Sequence, residues 1–329
     1  MHLSRYDDHS IDLHPDVISC FAGVRDEVAR LPDFLRHYRS LGVRSFFFMD
    51  NGSTDGTREY LMEQEDCHCF NVEGSHFANN VAPPNWTHSL LNVYGHNRWC
   101  VVVDIDELLI YPHVETVGLI ELCNYLHIEG SDALLAHMID MYGSGRLLDA
   151  RYNPQIGQLK SAPYFDAAPG RRQRNYNSQP SVQMFGGVRE RVFWHGRFKK
   201  MVPPCLTKIP LIRWWRGRRY LVAQHLVDSA RTSRVEGGLL HYKFLDGFKQ
   251  KNELSLAENS KVQEKGLEER IAYSEMLRQR PDLSLHYHGS VPYHDSMQLV
   301  KLGWLGTDSS YEEAVGRLKA QQLALVVQE

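Results

Sequence analysis

Three carboxylates stand where an apolar strand should end. The run "WCVVVDIDELLIYP", residues 99 to 112, sets Asp104, Asp106 and Glu107 among Val101, Val102, Val103, Ile105 and Leu108. A carboxylate removed from water alone is costly, so acids at the end of a buried strand need pairing, hydrogen bonds or a metal ion. Oxygen ligands suit Mg²⁺ or Mn²⁺, and such a cation neutralises charge on a leaving phosphate. Asp104 and Asp106 lie two apart, which on an ideal strand points both to one face and turns Glu107 to the other. Asp104 and Asp106 are therefore candidate metal ligands, and Glu107 a supporting residue. A further acid, Asp50, ends the apolar run "RSFFFMD" just before the turn "NGSTDG".

These acids can cooperate only if the fold brings them together, and the order of segments indicates how. "VISCFAG" (17 to 23) reads as a strand. A helix follows from about Arg30 to Leu41, with Leu31, Phe34, Leu35, Tyr38 and Leu41 at helical spacing, Pro32 in its first turn and Gly42 just past its end. "RSFFFMD" is a second strand, and Ser53, Thr54 and Asp55 read as capping residues of a helix from about Thr57 to Glu65. "CHCFNVE" is a third strand, residues 86 to 97 a helix and "WCVVVDID" a fourth strand. Strands separated by helices predict an α/β fold with a doubly wound, mostly parallel sheet, whose ligands bind at the carboxyl ends of the strands. Asp50, Asp104 and Asp106 then border one crevice. Residues 146 to 235, rich in Pro, Gly, Arg and aromatic residues, read as a loop-rich, partly mobile acceptor region. Helical patterning returns at about 246 to 260, 262 to 279 and 310 to 326.

"RDEVARLPDFLRHYRSLGVRSFFFMDNGSTDGT" followed by "WCVVVDIDELLIYP" resembles the GT-A fold nucleotide-sugar glycosyltransferases, in particular the family 2-like and family 92-like branch. There a "DNGSTDGT"-type stretch precedes a "DxDE"-type stretch. The resemblance covers residues 17 to 112 and extends through "GGVRERVF", "LTKIPL" and "LLHYKF" to about 245. It implies a catalytic domain over 1–245, with a nucleotide-sugar-binding half at 17–112 and an acceptor-binding half at 113–245, and a helical C-terminal extension over 246–329. It also implies a nucleotide-sugar donor, Mn²⁺ or Mg²⁺ as cofactor, and a glycan, lipid-linked or small-molecule acceptor. By resemblance Asp50 contacts the nucleoside, Arg25 and Glu27 lie near the base or phosphates, and Asp104 reaches the metal or the ribose. His241 in "GGLLHYKF" becomes a third metal ligand or a diphosphate contact. An inverting transfer needs a carboxylate to deprotonate the acceptor hydroxyl. Asp140 in "HMIDMYG" and Glu190 in "GGVRERVF" are the candidates, since the Glu-Asp pair often seen here in family 2 enzymes is missing. Glu190 also reads as a partner of Arg189 or Arg191.

Two other classes compete. "VVVDIDELL" also resembles the strand of haloacid-dehalogenase-type phosphatases, with Asp104 as nucleophile and Asp106 as acid/base, but Glu107 and Leu108 stand where Thr or Gly is expected. A non-catalytic sugar-nucleotide or glycan-binding module would keep the fold without turnover.

Composition sets bounds. The 329 residues are 43% hydrophobic and 23% charged, ordinary for one large or two modest globular domains, and a net charge of -3 gives no reason to expect nucleic acid. Local basic clusters occur at Arg171, Arg172 and Arg174 and at Arg213 to Arg219. The second encloses Trp214 and Trp215, a pairing that suits peripheral contact with a membrane surface. Cys20, Cys67, Cys69, Cys100, Cys123 and Cys205 contain no CxxC pair and read as reduced structural thiols, those of "CHCF" as strand filler rather than zinc ligands. No apolar run is long enough to span a membrane and no signal peptide opens the chain, so the expected location is cytoplasmic.

Overall fold

The computed structural model describes residues 4–72, 85–174, 180–258 and 264–326. Nine strands among them form one sheet: β1 (Ser4–Arg5), β2 (Ser19–Val24), β3 (Ser45–Asp50), β4 (Cys67–Asn71), β5 (Arg98–Val102), β6 (Glu107–Ile110), β7 (Ala133–Asp140), β8 (Thr207–Trp214) and β9 (Thr232–His241). Their spatial order is β1-β4-β3-β2-β5-β8-β7-β9-β6. Neighbours β4, β3, β2 and β5 run parallel, as do β7 and β9. Strands β1, β8 and β6 run against the strands they pair with.

Strand periodicity explains the layering. Phe46 and Phe48 of β3 enter one core cluster and Phe47 and Met49 enter the other, because successive side chains leave opposite faces of a strand. The first cluster receives Leu31, Phe34, Leu35 and Tyr38 of α1 (Leu31–Ser40), Leu61 of α2 (Thr57–Met62), and Leu119, Leu122 and Leu126 of α4 (Leu119–Glu129). The second receives Leu90 and Leu91 of α3 (Asn85–Tyr94). Helices therefore cover both faces, and the fold is the doubly wound, mostly parallel α/β sheet that the segment order predicts. Each fully buried Phe or Leu contributes roughly 2 kcal/mol relative to its exposed state. Pro32 starts α1, and Gly42 leaves it at φ +101°, a left-handed value open to glycine.

Two expectations need correction. Residues 146 to 235 are not mainly loop: β8 lies in the middle of the sheet, antiparallel between β5 and β7. The run "TKIPLIRW" is fully buried apart from Arg213, and Pro210 falls where the register with β7 shifts, since proline gives no N–H to a ladder. The acidic stretch is also not one strand. β5 stops at Val102, residues 103–106 form a turn, and Glu107 opens β6.

A third apolar cluster attaches the C-terminal helices. Val192 and Phe193 of α5 (Gly187–Phe193) pack with Phe244, with Phe248 of α6 (Phe248–Glu258) and with Tyr273 of α7 (Glu264–Gln279). The last helix, α8 (Ser309–Val326), is tied to the sheet side by the Tyr311 hydroxyl, which donates to the Pro112 carbonyl at 2.8 Å. Cys67 and Cys69 are buried residues of β4 with free thiols, in the strand that their alternation predicts. Among the described residues no helix is long and apolar enough to cross a membrane.

Candidate functional site

A crevice of about 470 Å³ opens where the strands end. Gly23 and Val24 come from the end of β2, Asn51 from just past β3, Asp104 to Asp106 from the turn after β5, and His241 from the end of β9. The opposite wall belongs to α6 and α7, through Lys251, Asn252, Arg270 and Tyr273.

His241 is held from behind the crevice. In the parallel ladder of β7 and β9 it stands directly opposite Asp140, and the two side chains meet at 2.6 Å through the ring Nδ1. Asp140 is buried, which alone would raise its pKa. Arg189, at 3.2 Å, and the hydrogen bond from His241 outweigh that and hold the carboxyl at about 2. Because Asp140 is ionised, Nδ1 is the donor, which fixes the ring and leaves Nε2 facing the Asp106 carboxylate at 3.6 Å. Burial would also raise Asp106, yet its neighbours His241 and Arg30 outweigh that and lower it, so it is a carboxylate at neutral pH.

Asp104 and Glu107 have a different partner. The buried Lys208 of β8 places Nζ 2.8 Å from Asp104 Oδ2 and 2.5 Å from Glu107 Oε1. The two aspartates of the turn thus line one crevice but address different groups, contrary to the common strand face their spacing predicts. Among the described residues no three Asp, Glu, His or Cys side chains form a ready-made metal cage. The crevice does offer the Asp106 and His241 pair, its histidine held by a buried carboxylate. One carboxylate and one imidazole suit Mn²⁺ better than the harder Mg²⁺, with substrate oxygens and water completing the shell.

Of the other predicted residues, Arg25 and Glu27 line the crevice. Glu27 is paired with Lys251 across it and with Arg30 at 3.5 Å. Asp50 is not brought with them. It is completely buried, its Oδ1 accepting the Ser53 N–H at 3.0 Å and its Oδ2 held by Arg58 at 2.8 Å, and the neighbouring Asn51 reaches the lining in its place. The "NGSTDG" turn is a clasp: Ser53 accepts from Asp26, Asp26 from Thr54, and Asp55 from Val28 and Thr57, which holds the loop after β2 against α2. Asp26 adopts φ +55° there, a conformation aspartate tolerates.

Neither candidate base borders the crevice. Asp140 lies behind His241, and Glu190 on α5 pairs with Arg171 at 2.9 Å, while Arg189 and Arg191 take Asp140 and Asp166 instead. The Arg213 to Arg219 cluster divides: Trp215 and Arg216 are exposed, with Arg213 stacked over the Trp215 ring at 5.3 Å, and the other members turn inward or pair. Trp214 is fully buried with its Nε1 donating to Asn92, Arg218 is buried against Asp132, and Arg219 pairs with Asp228.

Sequence reasoning missed Lys208 and the cations Arg30, Lys243, Lys251 and Arg270 that line the crevice. Lys208 had a visible signal, a lysine inside the apolar run "LTKIPLI". The others are ordinary helix or strand-end charges whose role only packing reveals.

No family model and no curated protein matches this chain. Twenty-eight chains of solved structure do. One is a UDP-glucose pyrophosphorylase complexed with UDP-glucose, 9% identical over 52% of this chain and 67% of that one, with a TM-score of 0.29. So distant a likeness carries no weight for the site, and the case for function rests on the crevice itself.

Proposed function

We propose that this protein is a glycosyltransferase of the GT-A type that moves a sugar from a nucleotide-diphosphate sugar to a glycan, lipid-linked or small-molecule acceptor, with Mn²⁺ or Mg²⁺. One observation carries the reading: at the carboxyl ends of the strands, a carboxylate and an oriented histidine, Asp106 and His241, sit among Arg25, Arg30, Lys243, Lys251 and Arg270. Asp106 and His241 would hold the metal, which when bound neutralises charge on the leaving diphosphate. The lysines and arginines face the phosphates, each adding a charge-assisted contact where negative charge builds up. Gly23 and Asn51, at the ends of β2 and β3, would border the nucleoside. Asp50 supports them from behind by fixing the turn. Asp140 and Glu190 are engaged by His241 and Arg189 and by Arg171, so either could act as the acceptor's base only by leaving those partners; the expected stereochemistry is inversion.

A panel of nucleotide sugars tests this, with nucleoside diphosphate release measured in Mn²⁺, in Mg²⁺ and in excess chelator, with and without acceptors. Metal-dependent release from one donor is expected. Phosphomonoester hydrolysis without any donor would establish the phosphatase reading instead. Donor binding without release or transfer would leave a binding module.

A further inference from the structure

The bridge made by Lys208 does more than neutralise acids. Leu211 of β8 lies opposite Val101 of β5, and three residues further along the same antiparallel direction Lys208 meets Asp104. Its side chain is only 5% exposed, yet it reaches Asp104 Oδ2 and Glu107 Oε1 together, while Glu107 Oε2 accepts the Asp104 N–H at 3.2 Å. One ammonium and one buried carboxylate therefore hold the backbone N–H and one carboxylate oxygen of Asp104, whose side chain is otherwise half exposed. Asp106, two residues on, is left to turn to His241.

We propose that Lys208 is a positioning residue, a resident cation that keeps Asp104 out of the metal's coordination shell so that the metal binds through Asp106 and His241 alone. This rests on the metal-assisted reading given above. Two carboxylates from one turn would hold a divalent ion more tightly, since ligand charge count raises affinity. They would also set a second negative charge against the diphosphate that has to approach the metal. A lysine that neutralises one of them trades resting affinity for a more positive metal, and the donor then becomes the ligand that completes the shell. Lys208 cannot be displaced cheaply, because its departure leaves Glu107 as an uncompensated buried charge.

The test uses the full chain and Mn²⁺ alone, with bound and free ion separated by electron paramagnetic resonance and confirmed by calorimetry. Asp106→Asn should lose Mn²⁺ binding at least tenfold, whereas Asp104→Asn should change it less than threefold. Lys208→Met combined with Glu107→Gln, which avoids stranding a buried charge, should bind Mn²⁺ at least tenfold tighter than the parent. Adding Asp104→Asn to that pair should return the affinity to the parent value. Equal losses in Asp104→Asn and Asp106→Asn would overturn the proposal and leave the metal reading intact, as would a Lys208→Met/Glu107→Gln protein that binds Mn²⁺ no tighter. A parent protein whose Mn²⁺ binding does not respond to Asp106→Asn would overturn both.

Discussion

Replacing Asp140 by asparagine separates two roles that its sequence position allows. As the acceptor's base, Asp140 would affect turnover alone. As the buried partner of His241 and Arg189, it affects stability and metal affinity first. The introduced amide can still accept the hydrogen bond from His241 Nδ1, but it leaves the buried Arg189 guanidinium, among the described residues, with Glu269 at 4.0 Å as its remaining carboxylate partner and with an Nη2 that already has no hydrogen-bond partner. Breaking a buried ion pair from one side costs about 3 to 5 kcal/mol. At the lower end, and about 2 °C per kcal/mol in a chain of this size, Asp140→Asn should melt roughly 6 °C below the parent. A carboxylate that fixes a ligating histidine also raises its basicity, so Mn²⁺ affinity should fall about tenfold to a hundredfold. Calorimetric melting and Mn²⁺ titration on the same preparation measure both effects. An Asp140→Asn protein with the parent's melting point and Mn²⁺ affinity, but no turnover, would refute this assignment and restore Asp140 as the base.

Three further outcomes follow from the same geometry. Asp106→Asn should abolish metal-dependent nucleotide binding and transfer while changing the melting point by less than about 2 °C, because relief of repulsion from Asp104 offsets a lost contact; equilibrium dialysis of a nucleoside diphosphate with and without Mn²⁺ reads it. Arg58→Met should cost about 3 kcal/mol in urea unfolding by stranding the buried Asp50, and the double variant with Asp50→Asn should recover most of that. Glu236 takes two bonds from Arg172, with the His137 ring 3.5 Å away, and these neighbours outweigh its burial and set its carboxyl at about 2. A depressed acid stabilises the fold above its ordinary value of 4.5 and loses that contribution as pH falls toward 2. Comparing parent and Glu236→Gln from pH 7 to 2, the stability gap should be up to about 3 kcal/mol at pH 7 and close as the solution is acidified.

Much of the sheet was legible because local pattern and burial agree. The runs around Phe47 and Val101 are short, apolar and bounded by turn residues, and α1 carries its periodicity, its proline and its terminal glycine in sequence. β8 was not legible for the opposite reason. Pro210 reads as a loop signal and Lys208 as a surface charge, and only the shift in register and the ion pair with Asp104 and Glu107 reconcile them with a central strand. The acids around 104 stand out in the sequence by the cost of burying charge, but the partner of two of them is a lysine 101 or more residues away along the chain. Asp50 shows the limit of reading a strand end as a ligand position. Whether such an acid faces the crevice or the core depends on what α2 presents to it, and α2 presents Arg58. His241 and Asp140 are related only through the parallel register of two strands distant in sequence.

The charge of the crevice bears on how it would treat a donor and its product. Its lining sets Arg25, Arg30, Lys243, Lys251 and Arg270 against Asp26, Glu27, Asp104 and Asp106, one cation in excess with His241 neutral. Lys208 and Glu107 balance each other behind it. A nucleotide-sugar diphosphate carries about two negative charges and the released nucleoside diphosphate about three, its new terminal phosphate ionising near neutrality. With a divalent cation bound, the donor is therefore close to neutral and the departing diphosphate close to a single negative charge. An excess of one positive charge gains little from the first and more from the second. Such a site favours the state in which the sugar has begun to leave, the differential binding that accelerates a reaction. Two of the five cations, Lys251 and Arg270, come from α6 and α7, beyond residue 245, where the family resemblance ends. The aromatic contacts of Phe248 and Tyr273 with Phe193 and Phe244 hold those helices in place. On the glycosyltransferase reading the C-terminal helices therefore belong to the catalytic unit, since without them the lining would keep three cations against four acids and would repel the diphosphate it has to release.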